Sequence, residues 1–155
     1  MAVDGFRMFE LATQGFCCSQ IILILGLDEQ GKENPDLIKA MNGLCGGMGR
    51  SGKTCGALTG GVCLIGLACG KGTPLESGHP KINVMIYELM EWFEETYGSL
   101  DCEEILDHSL DEGNEYPVQC GNTVSKTFSK VQEILATYVE DPEADDEDED
   151  EDEDE

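Results

Sequence analysis

Apolar side chains between Cys18 and Leu25 fall at Cys18, Ile21, Ile22 and Leu25, the i, i+3, i+4, i+7 spacing of one helix face. The run Ile21 to Leu27 is rich in isoleucine, so strand competes on propensity, but the spacing predicts helix. The clearest amphipathic stripe runs over residues 81–97: Ile82, Met85, Ile86, Leu89, Met90, Trp92, Phe93 and Tyr97, with Glu88, Glu91, Glu94 and Glu95 mainly outside it and Gly98 as its stop. A last helix carries Val124, Phe128, Val131, Leu135 and Tyr138 at spacings of four, three, four and three. Shorter helices are expected over 2–14, with Phe6 and Phe9 on one face beside Ala2 and Thr13, and over 35–43, opened by Pro35 and ended by Gly43. Another starts at Ser99, which can cap it ahead of Glu103 and Glu104, and ends near Leu110. Residues 28–34 and 111–119 read as loops, and 70–80, with its glycines and prolines, as a linker.

Residues 43–70 organise the rest. A glycine-rich loop without apolar period runs into Cys55, followed by a helix in which only Thr59 has a polar side chain from Gly56 to Cys69. Such a helix is expected to be buried on all sides. Gly56, Gly60, Gly66 and Gly70 each cost about 1 kcal/mol of helix stability against alanine, which makes sense where neighbouring helices or a ligand approach the backbone. The pattern predicts an all-α fold: a compact bundle of about six helices around this buried Gly/Ala/Cys-rich central helix. Residues 1–139 form one cysteine-rich domain, and residues 140–155 a disordered acidic tail.

Charge narrows the partners. The net charge is −24, and residues 140–155 hold 14 of the 33 acidic residues and no basic one. An acidic body excludes nucleic acid, which needs clustered Lys and Arg. The longest uncharged apolar stretch, about 16 residues, falls short of the roughly 20 that span a bilayer, and the N-terminus lacks a signal-peptide pattern. The expectation is a cytoplasmic protein with a redox partner protein and, compatibly, a homodimeric state. Structural disulfides are uncommon in that compartment, so eight cysteines point to a metal, a cluster or thiol chemistry.

Cys18, Cys55, Cys102 and Cys120 each stand at or just before an expected helix start, where free backbone N–H groups face the sulfur and lower a thiol pKa. Four thiolates at converging helix starts suit an iron–sulfur centre or a reactive dithiol. No Cys-x-x-Cys pair occurs, which excludes a zinc-ribbon pattern. Cys45 is close enough in sequence to Cys55 to be a resolving thiol, whereas Cys63 and Cys69 read as small core hydrophobes.

The stretches Phe16-Cys-Cys-Ser-Gln20, Gly46 to Gly60 with Cys55-Gly-Ala-Leu-Thr-Gly60 inside it, Leu100-Asp-Cys-Glu-Glu-Ile-Leu106 and Cys120 resemble the family called C_GCAxxG_C_C. Its signature is a lone Cys, a CGAxxG motif and two later Cys. The resemblance covers about residues 1–139 and implies a small all-helical redox-active protein with Cys18, Cys55, Cys102 and Cys120 as its functional set. A similar domain accompanies split-Soret cytochromes, where the cysteines are proposed to hold a [2Fe-2S] cluster. The absence of Cys-x-x-Cys-His here argues against covalent haem. Cys17, Cys45, Cys63 and Cys69 are extra, and Cys17 leaves the first functional cysteine open between itself and Cys18.

Two function classes therefore lead. In one, Cys18, Cys55, Cys102 and Cys120 ligate a [2Fe-2S] cluster that carries single electrons. In the other, they form a thiol–disulfide or sulfur-carrying centre with Cys55 as nucleophile. A third is a zinc- or partner-binding module without catalysis. Gly47-Met-Gly-Arg-Ser-Gly-Lys-Thr54 also satisfies the phosphate-loop pattern, with Lys53 for phosphate and Thr54 for magnesium, but no buried strand precedes it. Arg50 and Lys53 instead suit offsetting thiolate charge or a bound anion. His79 and His108 read as surface residues.

Overall fold

A computed structural model of the chain describes residues 5–106 and 118–140. The fold is all-α, with seven helices among the described residues: α1 Gly5–Thr13, α2 Cys18–Glu29, α3 Pro35–Met41, α4 Gly56–Cys69, α5 Ile82–Tyr97, α6 Cys102–Leu106 and α7 Val118–Leu135. A 3-10 turn, Asn42–Leu44, follows α3, and a π turn, Ala136–Glu140, follows α7. Among the described residues there is no strand, only an isolated antiparallel bridge between Thr54 and Asp101. No described helix is long and apolar enough to cross a membrane. The acidic tail from residue 141, His108, the expected end of a helix near Leu110 and most of the 111–119 loop lie outside the described residues.

Helix α4 is the axis of the bundle, and its glycines decide who touches it. A Cβ on Gly60 would stand 2.2 Å from the Ile22 Cγ2 methyl and 3.0 Å from the Ser19 carbonyl, and one on Gly26 of α2 would stand 2.3 Å from Leu64 Cδ1. The α2 and α4 backbones therefore approach closely at Gly60, where a methyl would press on the Ser19 backbone, while at Gly26 it would press on the Leu64 side chain. On the other face, Gly61 lies under Leu89 of α5 and Thr127 and Val131 of α7. Ile21, Ile22, Leu23, Leu58, Leu64, Ile65, Met85, Leu89, Phe93 and Val131 are fully buried around this axis.

Three expectations need correction. Helix α4 is not buried on all sides: Leu67 and Ala68 are exposed, and a Cβ at Gly66 would meet nothing within 4 Å. In α1 the inward face carries Met8 and Leu11, while Phe6 and Phe9 are 74% and 68% exposed. The short helix offered two apolar faces, and packing chose the other one. Helix α7 begins at Val118, so Cys120 sits in its first turn and not ahead of it. Elsewhere the stripes hold: Met85, Leu89 and Phe93 of α5 and Val124, Phe128 and Val131 of α7 point inward, and Gly98 ends α5 in a left-handed cap. Met90 of the α5 stripe is exposed.

Candidate redox site

The loop before α4 is wound left-handed. Gly46, Gly47, Met48, Gly49 and Arg50 all have positive φ, between 60° and 78°. A left-handed turn costs a non-glycine residue roughly 1–2 kcal/mol, so glycine at three of these five positions is what makes the path affordable. Inside the turn, the Gly49 N–H donates to the Gly43 carbonyl, Arg50 to Cys45, Gly52 to Gly46 and Lys53 to Gly47. These amides are spent on the loop itself. A phosphate loop needs them free, and it needs a preceding strand. Here a 3-10 turn precedes, so the phosphate-loop match is a coincidence of sequence.

The loop exit is clamped to the start of α6. The Cys55 N–H donates to the Leu100 carbonyl at 2.8 Å, Cys102 to Lys53 at 2.6 Å, and Glu103 to Gly52 at 2.9 Å. Gly52, with φ of 80°, permits this approach, since a Cβ there would be 2.8 Å from the Glu103 Cβ. The clamp brings Cys55, which caps α4, beside Cys102, the first residue of α6. Cys18, the first residue of α2, reaches the same place from the third side: its Sγ would lie 2.4 Å from a Cβ on Gly56. The glycine of the Cys55-Gly-Ala motif thus makes room for a sulfur.

Cys18, Cys55 and Cys102 are all buried. The backbone N–H groups of Gly46, Ser19 and Gly56 face the Cys18 sulfur, and those of Ala57 and Leu58 face Cys55. These donors favour thiolate, yet burial outweighs them. Burial, and then the neighbouring Cys18 and Cys102, push the Cys55 thiol up to about 12. Burial and then Cys18 push Cys102 up to about 11, and burial raises Cys18. The lowered pKa expected of helix starts is therefore overturned: three desolvated thiols that would repel one another once charged hold their protons.

Cys120 stands in the first turn of α7, and its side chain lies outside the described residues. Cys45, expected as a resolving thiol for Cys55, is bonded instead to Cys17, with 5.8 Å between the α-carbons. Adjacent residues of one helix start thus serve two places, Cys17 the loop and Cys18 the buried thiols. Cys69 is buried and Cys63 half-buried on α4, both as free thiols raised by burial. Among the described residues, no group of three or more His, Cys, Asp and Glu side chains stands ready to hold a metal ion.

Two residues near the site were not anticipated. Tyr97 of α5 has its phenol raised by burial and by Cys55; Thr123 acts to lower it, although the buried Tyr97 hydroxyl makes no hydrogen bond of good geometry. Tyr97 had been legible only as the end of an apolar stripe. Ser19 donates from its Oγ to the Met41 carbonyl at 2.9 Å and lies 3.4 Å from the Cys17 sulfur. His79 is half-buried and structural: its Nδ1 accepts from the Lys81 N–H, which leaves Nε2 to donate to the Tyr138 carbonyl.

No curated protein and no solved structure matches the chain. One family model does, described as "Putative redox-active protein (C_GCAxxG_C_C)", over residues 16–134, a span that takes in Cys18, Cys55, Cys102 and Cys120. The chain belongs to that family of redox-active proteins.

Proposed function

We propose that Cys18, Cys55 and Cys102, joined by Cys120 from the first turn of α7, form the redox centre and ligate a [2Fe-2S] cluster. The observation that carries this reading is the meeting of three thiols from three separate helix starts at one buried point. The donor chemistry fits such a group: soft sulfur ligands, little water, and backbone N–H groups facing Cys18 and Cys55. As they stand, the described side chains of Cys18, Cys55 and Cys102 are not a ready-made ligand set, so binding includes their reorientation. When bound, a cluster of this kind supplies single-electron transfer. The chain's own contribution is to exclude water, to donate hydrogen bonds to the sulfurs, and to fix Cys55 and Cys102 through the 52–55 and 100–103 pairing.

The alternative, in which Cys55 acts as a thiol nucleophile or sulfur carrier, also uses the proximity of the three thiols. It is the weaker reading, because a buried thiol pushed up to about 12 is almost wholly protonated at neutral pH. Ligation by iron reverses that balance, since the metal's positive charge offsets the repulsion among the sulfurs. A zinc-binding module would use the same ligands without colour or electron transfer.

Iron, acid-labile sulfide and the visible spectrum of protein purified without oxygen test the reading. Two irons and two sulfides per chain are expected, lost together in Cys55→Ser. A colourless, iron-free protein after reconstitution would overturn it, and fast selective alkylation of Cys55 near neutral pH would favour the nucleophile. Zinc by elemental analysis would favour the third class.

A further inference from the structure

We infer that Cys17–Cys45 is a second redox site, a surface disulfide that exchanges with small anionic thiols. The bond lines a cavity of about 440 Å³, a size fit for a small ligand, whose walls include Phe16, Asn42, Gly49 and Arg50. Both cysteines are half-buried: their sulfurs lie 3.4 Å and 3.7 Å from the buried Ser19 Oγ on one side, and the two residues line the cavity on the other. In a chain of net charge −24, Arg50 is the only charged group lining the cavity among the described residues. The left-handed loop holds it there: the Arg50 N–H donates to the Cys45 carbonyl at 3.0 Å, and its side-chain stem lies over Gly46, where a Cβ would be 2.9 Å from Cγ. The cation is thus tied by backbone to the very residue that forms the bond.

In the exchange, the thiolate of a small thiol attacks one protein sulfur and the Cys17–Cys45 bond breaks, leaving a mixed disulfide and one protein thiol. A second small thiol then releases the first as a free disulfide. Two electrons pass from two small thiols to the protein, and Cys17 and Cys45 end as thiols. A carboxylate or sulfonate on the small thiol is attracted by Arg50. The inference stands apart from what Cys18, Cys55 and Cys102 hold, because the assay follows Cys17 and Cys45 alone.

The full chain, purified in air, is alkylated under denaturing conditions, reduced, and alkylated again with a heavier reagent; mass spectrometry should find the second label on Cys17 and Cys45. Rates of reduction are then compared for 2-mercaptoethanesulfonate and neutral 2-mercaptoethanol, and the ratio of the two rates is compared between proteins. Arg50→Gln should lower that ratio by about threefold, as expected for a partly exposed ion pair, and Arg50→Lys should restore most of it. High salt should narrow the difference in that ratio between the native sequence and Arg50→Gln, since it screens the Arg50 attraction that only the native sequence has. First label on both cysteines would overturn the disulfide. A ratio indifferent to both salt and Arg50→Gln would overturn the recognition of anionic thiols.

Discussion

The closeness of α2 and α4 rests on glycine, and paired alanine substitutions measure it. Gly60→Ala adds a methyl whose carbon would lie 2.2 Å from Ile22 Cγ2, 3.0 Å from the Ser19 carbonyl oxygen and 3.1 Å from the Ser19 α-carbon. Ile22 is fully buried and β-branched, so it has no free rotamer to swing into, and the Ser19 contacts are backbone. Overpacking of this kind costs about 3 kcal/mol at the upper end of its range, and the better helix propensity of alanine returns about 1 kcal/mol, for a net loss of about 2. Gly66→Ala sits in the same helix with nothing within 4 Å, so only the propensity gain of about 1 kcal/mol remains. For a chain of this length the gap of about 3 kcal/mol corresponds to about 6–12 °C in Tm. Urea and thermal unfolding followed by circular dichroism would read it, with the urea slope unchanged if only native packing is altered. Ile22→Ala, which costs about 2–5 kcal/mol by the cavity it leaves, should cost less in the Gly60→Ala background than in the native sequence, because it relieves part of the clash while the Ser19 backbone still obstructs. Equal stability of the Gly60→Ala and Gly66→Ala proteins would refute the close helix contact.

Two further outcomes follow from the loop and the thiols. In reduced protein stripped of metal, Cys55 and Cys102 keep their protons in the folded state up to about 12 and about 11, whereas unfolded thiols ionise near 9. The folded state then binds more protons above pH 9, so this stabilisation is complete below 9 and is lost as pH rises from about 9 towards 12; urea midpoints that stay level from pH 8 to 10.5 would contradict the burial of these thiols. Gly47→Ala should unfold the site, because its Cβ would stand 2.6 Å from the Lys53 nitrogen next to the α6 clamp, while Gly49→Ala, in open space, should cost only the left-handed penalty of about 1–2 kcal/mol; similar unfolding midpoints for the two would count against the loop path.

The sequence carried the architecture well, because helix faces repeat and burial follows them. The α5 and α7 stripes point inward apart from Met90, the α2 positions are buried in a helix covered on nearly every side, and the glycines of α4 do mark close approach at Gly56 and Gly60. What periodicity cannot supply is which of two faces a nine-residue helix buries, hence the exposed Phe6 and Phe9 in α1. Nor can it rank desolvation against hydrogen bonding. The helix starts were legible and their N–H groups do face the sulfurs, but the sign of the net effect depends on how much water reaches Cys55, a property of the assembled bundle.

The neighbours Cys17 and Cys18 show where sequence reasoning stops and geometry decides. As the cap and the first residue of α2, they differ by one position, and spacing alone gives them the same surroundings. The turn of the chain sends Cys18 under Gly56 and Cys17 towards Cys45. Cys45 reaches it because α3, which leads into the 3-10 turn, is held to α2 by the Ser19 hydroxyl on the Met41 carbonyl and by Gln20 Nε2 on the Ile38 carbonyl. Those two polar side chains, buried in an otherwise apolar run, carry no chemistry visible in a sequence scan. Their hydrogen bonds hold α3 against α2, in an arrangement where Cys18 is buried and Cys17 is half-buried and bonded to Cys45, two thiol environments that sequence spacing alone would merge.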